Sequence, residues 1–186
     1  MTTITTQPST TPRSDTVEVG KTGWRIDPTR SGIEFRTPTF WGLMTVKGRF
    51  ERYDGTLDLQ HEPAIELTID AASLSTNNKM RDKHLRSSDF FDVENHRHVR
   101  FVSDSATLEG ERLTVCGRLY AAGTSIPLDI DARLRPVDGE LEVDATAYAD
   151  HFELGMSHGM LGMIRSPSEL IVRGRLVRAT DSPAGE

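Results

Sequence analysis

Strict alternation of apolar and polar residues over most of the chain constrains its fold more than any other feature. From Trp24 onward the period is two: Ile33 and Phe35 share a face, as do Met44, Val46, Gly48 and Phe50, then Leu57 and Leu59, then Ile65, Leu67 and Ile69. The pattern resumes at Val99 and Phe101 and runs through Leu113 to Leu119, Ile126 to Leu134, Leu141 to Ala149 and Leu170 to Leu176. Successive side chains of a strand point to opposite faces, so each run has one apolar face to bury. About eight to ten antiparallel strands at this spacing predict an all-β sandwich or barrel with one clean inner face. Asp54-Gly55 reads as a hairpin signal between two of them.

Glycine and alanine decide between sandwich and barrel. The pattern V-x-G-R-(F or L) occurs at Val46 to Phe50, Val115 to Leu119 and Val172 to Leu176, each time with glycine in phase with the inward residues and with Arg49, Arg118 and Arg175 facing out. Glycine there lets a strand bend or leaves room inside, and such kinks close barrels. Ala145, Ala147 and Ala149 place three methyl groups in succession on one inner face, where a filled core wants larger side chains. Either a bulky neighbour covers them or a cavity lies there. A barrel of about eight strands can fill itself or hold one small ligand, and the small inner residues favour the second.

Two irregular segments interrupt the strands. In the first, 77–101, Asn77 or Asn78 can cap a short helix ending at Arg86, with Met80, His84 and Leu85 on one face. Ser87-Ser88-Asp89 then caps a turn that carries Phe90 and Phe91 inward. Arg81 and Asp82 are expected to pair or to bond loop carbonyls. The second segment, Asp150 to Ile164, is interrupted by glycines that cost about 1 kcal/mol each inside a helix, so it reads as a flap or a plug at a barrel end. Phe40, Trp41, Met44, Phe90, Phe91, Phe152, Met156, Met160 and Met163 are candidates for an adaptable apolar lining.

The string M-R-D-K-H-L-R-S-S-D-F-F-D-V, from Met80 to Val93, followed by V-R-F-V-S, closely resembles the signature of the YceI-like family. The opening W-R-I-D-P and the later V-K-G-R-F are similar to that family's first strands, and the likeness extends from about Trp24 to Val177. The resemblance implies a lipocalin-like barrel that binds a polyisoprenoid such as a polyprenyl chain or a quinone tail. Three polar positions depart from the pattern: Arg30-Ser31 stands where the family often has His before Ser, Phe40 where a second His is common, and Asp150-His151 where Asp-Arg is usual. The expected ligand-binding set is the lining above together with Met80 and four polar groups at the mouth, Arg81, Asp82, His84 and His151. An alternative is a pocket enzyme in which Asp82, His84, His151 and Glu153 do acid/base chemistry on a hydrophobic substrate. A weaker one is a filled scaffold that binds a protein on its outer face.

The remaining features restrict the choice. A formal charge of −6 on 186 residues argues against a nucleic-acid partner. His96 and His98 share a strand face, but no third ligand is fixed and no metal site is expected. Cys116, the single cysteine, reads as a small strand residue without an internal disulfide. Neither a catalytic nor a cofactor-binding fingerprint is present. Residues 1–21 and 179–186 are expected to be disordered tails flanking one domain over 22–178. With no secretory signal and no apolar run long enough to span a bilayer, the chain is expected to be cytoplasmic, and a homodimer is left open.

Overall fold

The computed structural model describes residues 23–39, 44–60, 62–156 and 167–179. Its strands are β1 (Trp24–Ile26), β2 (Gly32–Thr39), β3 (Met44–Phe50), β4 (Tyr53–Asp58), β5 (Ala64–Asp70), β6 (Leu74–Ser75), β7 (His98–Glu109), β8 (Arg112–Ala121), β9 (Thr124–Val137), β10 (Glu140–Ala149) and β11 (Ser168–Arg178). A single α-helix among the described residues, α1 (Lys79–Arg86), lies in the crossover between β6 and β7. All pairings are antiparallel, and the alternation is clean where both neighbours are regular: in β8 every second residue is buried.

The sheet closes on itself. β11 pairs with β10 on one side and with both β1 and β2 on the other, while β1 also pairs with β4 and β2 with β3. Thus β1 and β2 are two halves of one bent strand, β3 and β4 are halves of the next, and the ring continues through β5, β7, β8, β9, β10 and β11 back to the start. The result is a closed antiparallel eight-stranded barrel, as the alternation and the small inner residues imply.

Each bend has its backbone donors satisfied by side chains, as interior amides require. Ser73 Oγ accepts from the amides of Glu51 and Arg52 at 3.1 and 3.0 Å, where β3 gives way to β4. At the other bend Asp27 accepts from the amide and hydroxyl of Thr29, and Arg175 N donates to Ser31 Oγ at 3.0 Å. Tyr53 fastens the two bends together by donating to Ser31 O at 2.6 Å.

Asp54-Gly55 is not a hairpin: it lies inside β4, with Asp54 opposite Thr68 and Gly55 opposite Leu67. Arg25 holds the Asp54 carboxylate on the outer wall at 2.8 Å, and pairing with β5 keeps the dipeptide extended. The tight turns lie instead at Ala122-Gly123 and Asp138-Gly139, where both residues have positive φ. The V-x-G-R glycines have a packing cause. A Cβ at Gly48 would stand 2.3 Å from the Phe35 ring, and one at Gly117 would stand 2.4 Å from Val102 O and 2.6 Å from the Phe101 ring. Inward phenylalanines occupy the space left at Gly48 and Gly117, and Ser31 that left at Gly174, where a Cβ would stand 2.0 Å from its hydroxyl oxygen.

Strand direction sorts the connections into two ends. The β4–β5, β7–β8 and β9–β10 turns share one end with Trp24 and Arg178, while the α1 crossover, the β8–β9 turn and the 150–156 turn share the other. The first end is sealed by Trp24, Leu57, Leu113, Leu134, Leu141 and Leu176, all buried, with the Arg178 guanidinium 5.8 Å from the Trp24 ring. At the other end the crossover lies over a mouth.

Candidate functional site

The barrel encloses a cavity of about 280 Å³ with almost wholly apolar walls. Its side wall is β10: Ala145, Ala147 and Ala149 all line it, next to Ala132 on β9 and Ala121 on β8. Of the two readings open for the alanines, the structure shows the cavity. Phe35, Phe50 and Phe91 form a second wall of contacting rings, with Phe35 and Phe50 tilted at 5.7 Å and Phe50 edge-on to Phe91 at 5.9 Å.

The crossover is fixed over the mouth by a hydrogen-bond hub at Thr76. Asn78 caps α1 by accepting from Arg81 N at 3.1 Å. Asp82, buried on the first turn, accepts from Thr76 N at 2.8 Å and from Thr76 Oγ1 at 2.6 Å. Arg81 Nε donates to the same hydroxyl at 2.8 Å, and a second guanidinium nitrogen donates to Thr76 O at 3.1 Å. Arg86 reaches back to Leu74 O. These charged residues therefore bond the backbone that they hold, which explains a cluster of charge in a segment that must lie against an apolar cavity. Beyond α1, the amides of Phe90 and Phe91 donate to Ser87 O and Leu85 O, turning both rings toward the cavity.

A small polar group sits in the lining at the mouth. Thr37 Oγ1 and the buried Ser168 Oγ are 2.8 Å apart, and Ser168 Oγ lies 3.4 Å from His151 Nδ1. Burial lowers the pKa of His151 from its ordinary value, against the opposing charge of Asp150, so the neutral ring is favoured. Thr37 and Ser168 escape sequence reading because isolated hydroxyls in strands give no signal. Only the register Arg36 to Glu169, which sets β2 against β11, brings them together.

The expected site residues divide by position. Arg81, His84, Phe90, Phe91, His151 and Met156 line the cavity. Met80 and Met44 do not: they are 85% and 61% exposed. For Met80 the cause is helix phase, because α1 turns Arg81, Asp82 and Leu85 toward the barrel and leaves Met80 outside. Met44 is in phase with the inward Val46 and Phe50, but it is the first residue of β3, beyond the reach of the cavity, and stays exposed. Asp82 is committed to Thr76 beneath the helix, and Phe152 is half-buried against the His151 ring at 4.4 Å without lining the cavity. Phe40, Trp41, Met160 and Met163 lie outside the described residues. The acid/base set is not assembled: Asp82 is occupied, Glu153 is exposed, and His84 faces Asp89 at 3.7 Å. Among the described residues no cluster of His, Cys, Asp or Glu could hold a metal ion, and no described helix is long and apolar enough to cross a membrane.

A closed eight-stranded barrel, sealed at one end and hollow behind a helical crossover at the other, defines the lipocalin-like class. Residues 24–172 match the YceI-like domain, and the chain belongs to that family. It is 39% identical over 97 residues to a UPF0312 protein of Photorhabdus laumondii, an overlap of 50% of each chain, so it matches about half the length of this curated relative. The fold is also that of Burkholderia cenocepacia BcnA, with a TM-score of 0.73 at 15% identity over 82% of this chain and 99% of the other. A polyisoprenoid binding domain from Saccharophagus degradans is similar too, with a TM-score of 0.67 at 13% identity over 85% and 99%.

Proposed function

We propose that the barrel binds one long apolar chain of the polyisoprenoid class, for storage or carriage, with the chain in the cavity and its polar head at the mouth. The observation that carries this reading is the alanine wall of β10, which leaves a continuous apolar space from the middle of the barrel to the crossover. Membership of the YceI-like family and the likeness to a polyisoprenoid binding domain support it. Burial of the chain drives binding at roughly 25 cal/mol per Å² of apolar surface, offset by the ordering of the ligand. Thr37, Ser168 and neutral His151 would hydrogen-bond a hydroxyl or carbonyl on the head.

The test is native mass spectrometry of the protein as purified, followed by solvent extraction and identification of the released molecule. A chain of isoprene units is expected from the natural sequence and not from Ala145→Leu/Ala147→Leu, whose added side chains fill the cavity. A natural protein that is empty and also refuses added polyprenols and quinones would sink the proposal.

A further inference from the structure

Among the described residues four large hydrophobic side chains are exposed: Met80, Tyr148, Met44 and Tyr120. Strand direction places all four at the mouth. Met44 is the first residue of β3, Tyr120 and Tyr148 are the last but one of β8 and β10, and Met80 lies on α1, which covers the opening. None lies at the sealed end. Four positions scattered over a wall would need no explanation, but a ring around one opening does.

Charge follows the same division. On the wall, several arginines have a carboxylate partner: Arg25 has Asp54, Arg112 has Asp131, Arg135 has Glu142 and Arg173 has Asp144. Helix α1 differs. It carries Lys79, Arg81, Lys83 and Arg86 against one carboxylate, Asp82, which is buried. Lys79 and Lys83 are exposed near Met80, and among the described residues no salt bridge joins either to a carboxylate. The carboxylates at this end include the half-buried Asp89 and the exposed Glu94 and Glu153, which lie on the loops that follow the helix and on the 150–156 turn. In a chain with a net charge of −6, the helix is an outward cationic surface with a methionine at its centre.

From this juxtaposition we infer that the mouth end docks on an anionic lipid bilayer, with Lys79 and Lys83 on headgroup phosphates and Met80, Met44, Tyr120 and Tyr148 at the level of the headgroups. Lysines near an anionic surface and tyrosines at a membrane interface are each favourable, and two weak signals together give stable but reversible attachment. Docking in this orientation opens the cavity toward the acyl chains, so that a long apolar ligand need not cross water. This deepens the lipid-binding proposal and rests on it for its purpose, although the surface itself is independent of what fills the barrel.

The test is flotation of the full chain with phosphatidylcholine vesicles, with and without phosphatidylglycerol, beside binding of a fluorescent polyprenol in vesicle-free buffer. The natural protein is expected to float with the anionic vesicles only, and to be released by high salt. Lys79→Glu/Lys83→Glu should weaken that association by about 25-fold or more, taking about fivefold per lysine removed. Met80→Ser should weaken it less, and Arg112→Ala at the sealed end should leave it unchanged. Polyprenol binding in buffer should be the same for all four proteins. Equal flotation by the natural protein and the double variant would overturn the docking surface, as would equal binding to neutral vesicles. Flotation with no polyprenol binding would instead overturn the function proposed for the cavity and leave the surface standing.

Discussion

The two ends of the barrel are built from the same strands with opposite results. The inward face of β10 begins with Leu141, wholly buried, and Val143, and then runs through Ala145, Ala147 and Ala149. β8 also ends in an alanine, Ala121, although the buried Leu119 precedes it. Along β10, side-chain volume falls while backbone spacing stays constant, so this wall is thick at the sealed end and thin toward the mouth. The sealed end holds itself together by packing. At the mouth, beside the packing of Phe90, Leu154 and Met156, the hydrogen bonds converging on Thr76 hold the crossover in place. A hollow barrel of this kind needs both: one end to stabilise the fold and another that can be spared from doing so.

The comparison is broken most directly by exchanging volume. Leu141→Ala should lower unfolding free energy by about 2–5 kcal/mol, the range for a large aliphatic side chain removed from a packed core. Ala147→Leu adds the same atoms where space exists and should change stability by about 1 kcal/mol or less. Guanidinium denaturation of both variants decides the matter. A cost above about 2 kcal/mol for the alanine replacement would mean that the mouth is as full as the sealed end.

A smaller loss is expected at the hub. Thr76→Val keeps the shape but removes the hydroxyl shared by Asp82 and Arg81, leaving the carboxylate with the Thr76 amide as its remaining partner. About 1–3 kcal/mol follows from an under-satisfied buried charge. Hydrogen exchange should report the loss first in α1 and 87–97 and leave β8 and β9 protected. Uniform loss across the barrel would show that the mouth is not held separately.

How much of this was legible follows from the range of each interaction. Period two is local, so the barrel could be read from Ile33 to Leu176, and the alanines of β10 marked the cavity because their size is visible without neighbours. The helix was also local, from the Asn78 cap to Arg86. Its phase was not: Met80 was placed inward with Leu85, whereas Arg81 and Asp82 take the inward side because Thr76 awaits them. Asp54-Gly55 misled because turn chemistry competes with pairing to Arg25 and Leu67, which are distant in sequence. Thr37 and Ser168 are 131 residues apart, and nothing short of the register of β2 on β11 makes them a site.

The smallest effect is expected on the outer surface of the sealed half, and it sharpens the contrast by separating charge from packing. Arg30 donates to both carboxylate oxygens of Glu140 at 2.9 and 2.8 Å and to Asp27 at 2.6 Å, tying the bend of the first strand to the start of β10. The bonds from Thr29, and then that from Arg30, hold the Asp27 carboxyl down at about 2, and Arg30 lowers Glu140 as well. A carboxyl with a depressed folded pKa contributes stability that is complete above its unfolded value and lost as pH falls through the folded one. Arg30→Ala lets both values rise toward normal, so part of that contribution is missing at neutral pH and less remains to lose in acid. The gap in denaturation midpoint between the natural protein and the variant should be slight at pH 7, because exposed ion pairs contribute little, and should close as pH falls from about 4 toward 2. A gap that persists unchanged into acid would assign Arg30 to packing, and the sealed end would then owe nothing to its surface charges.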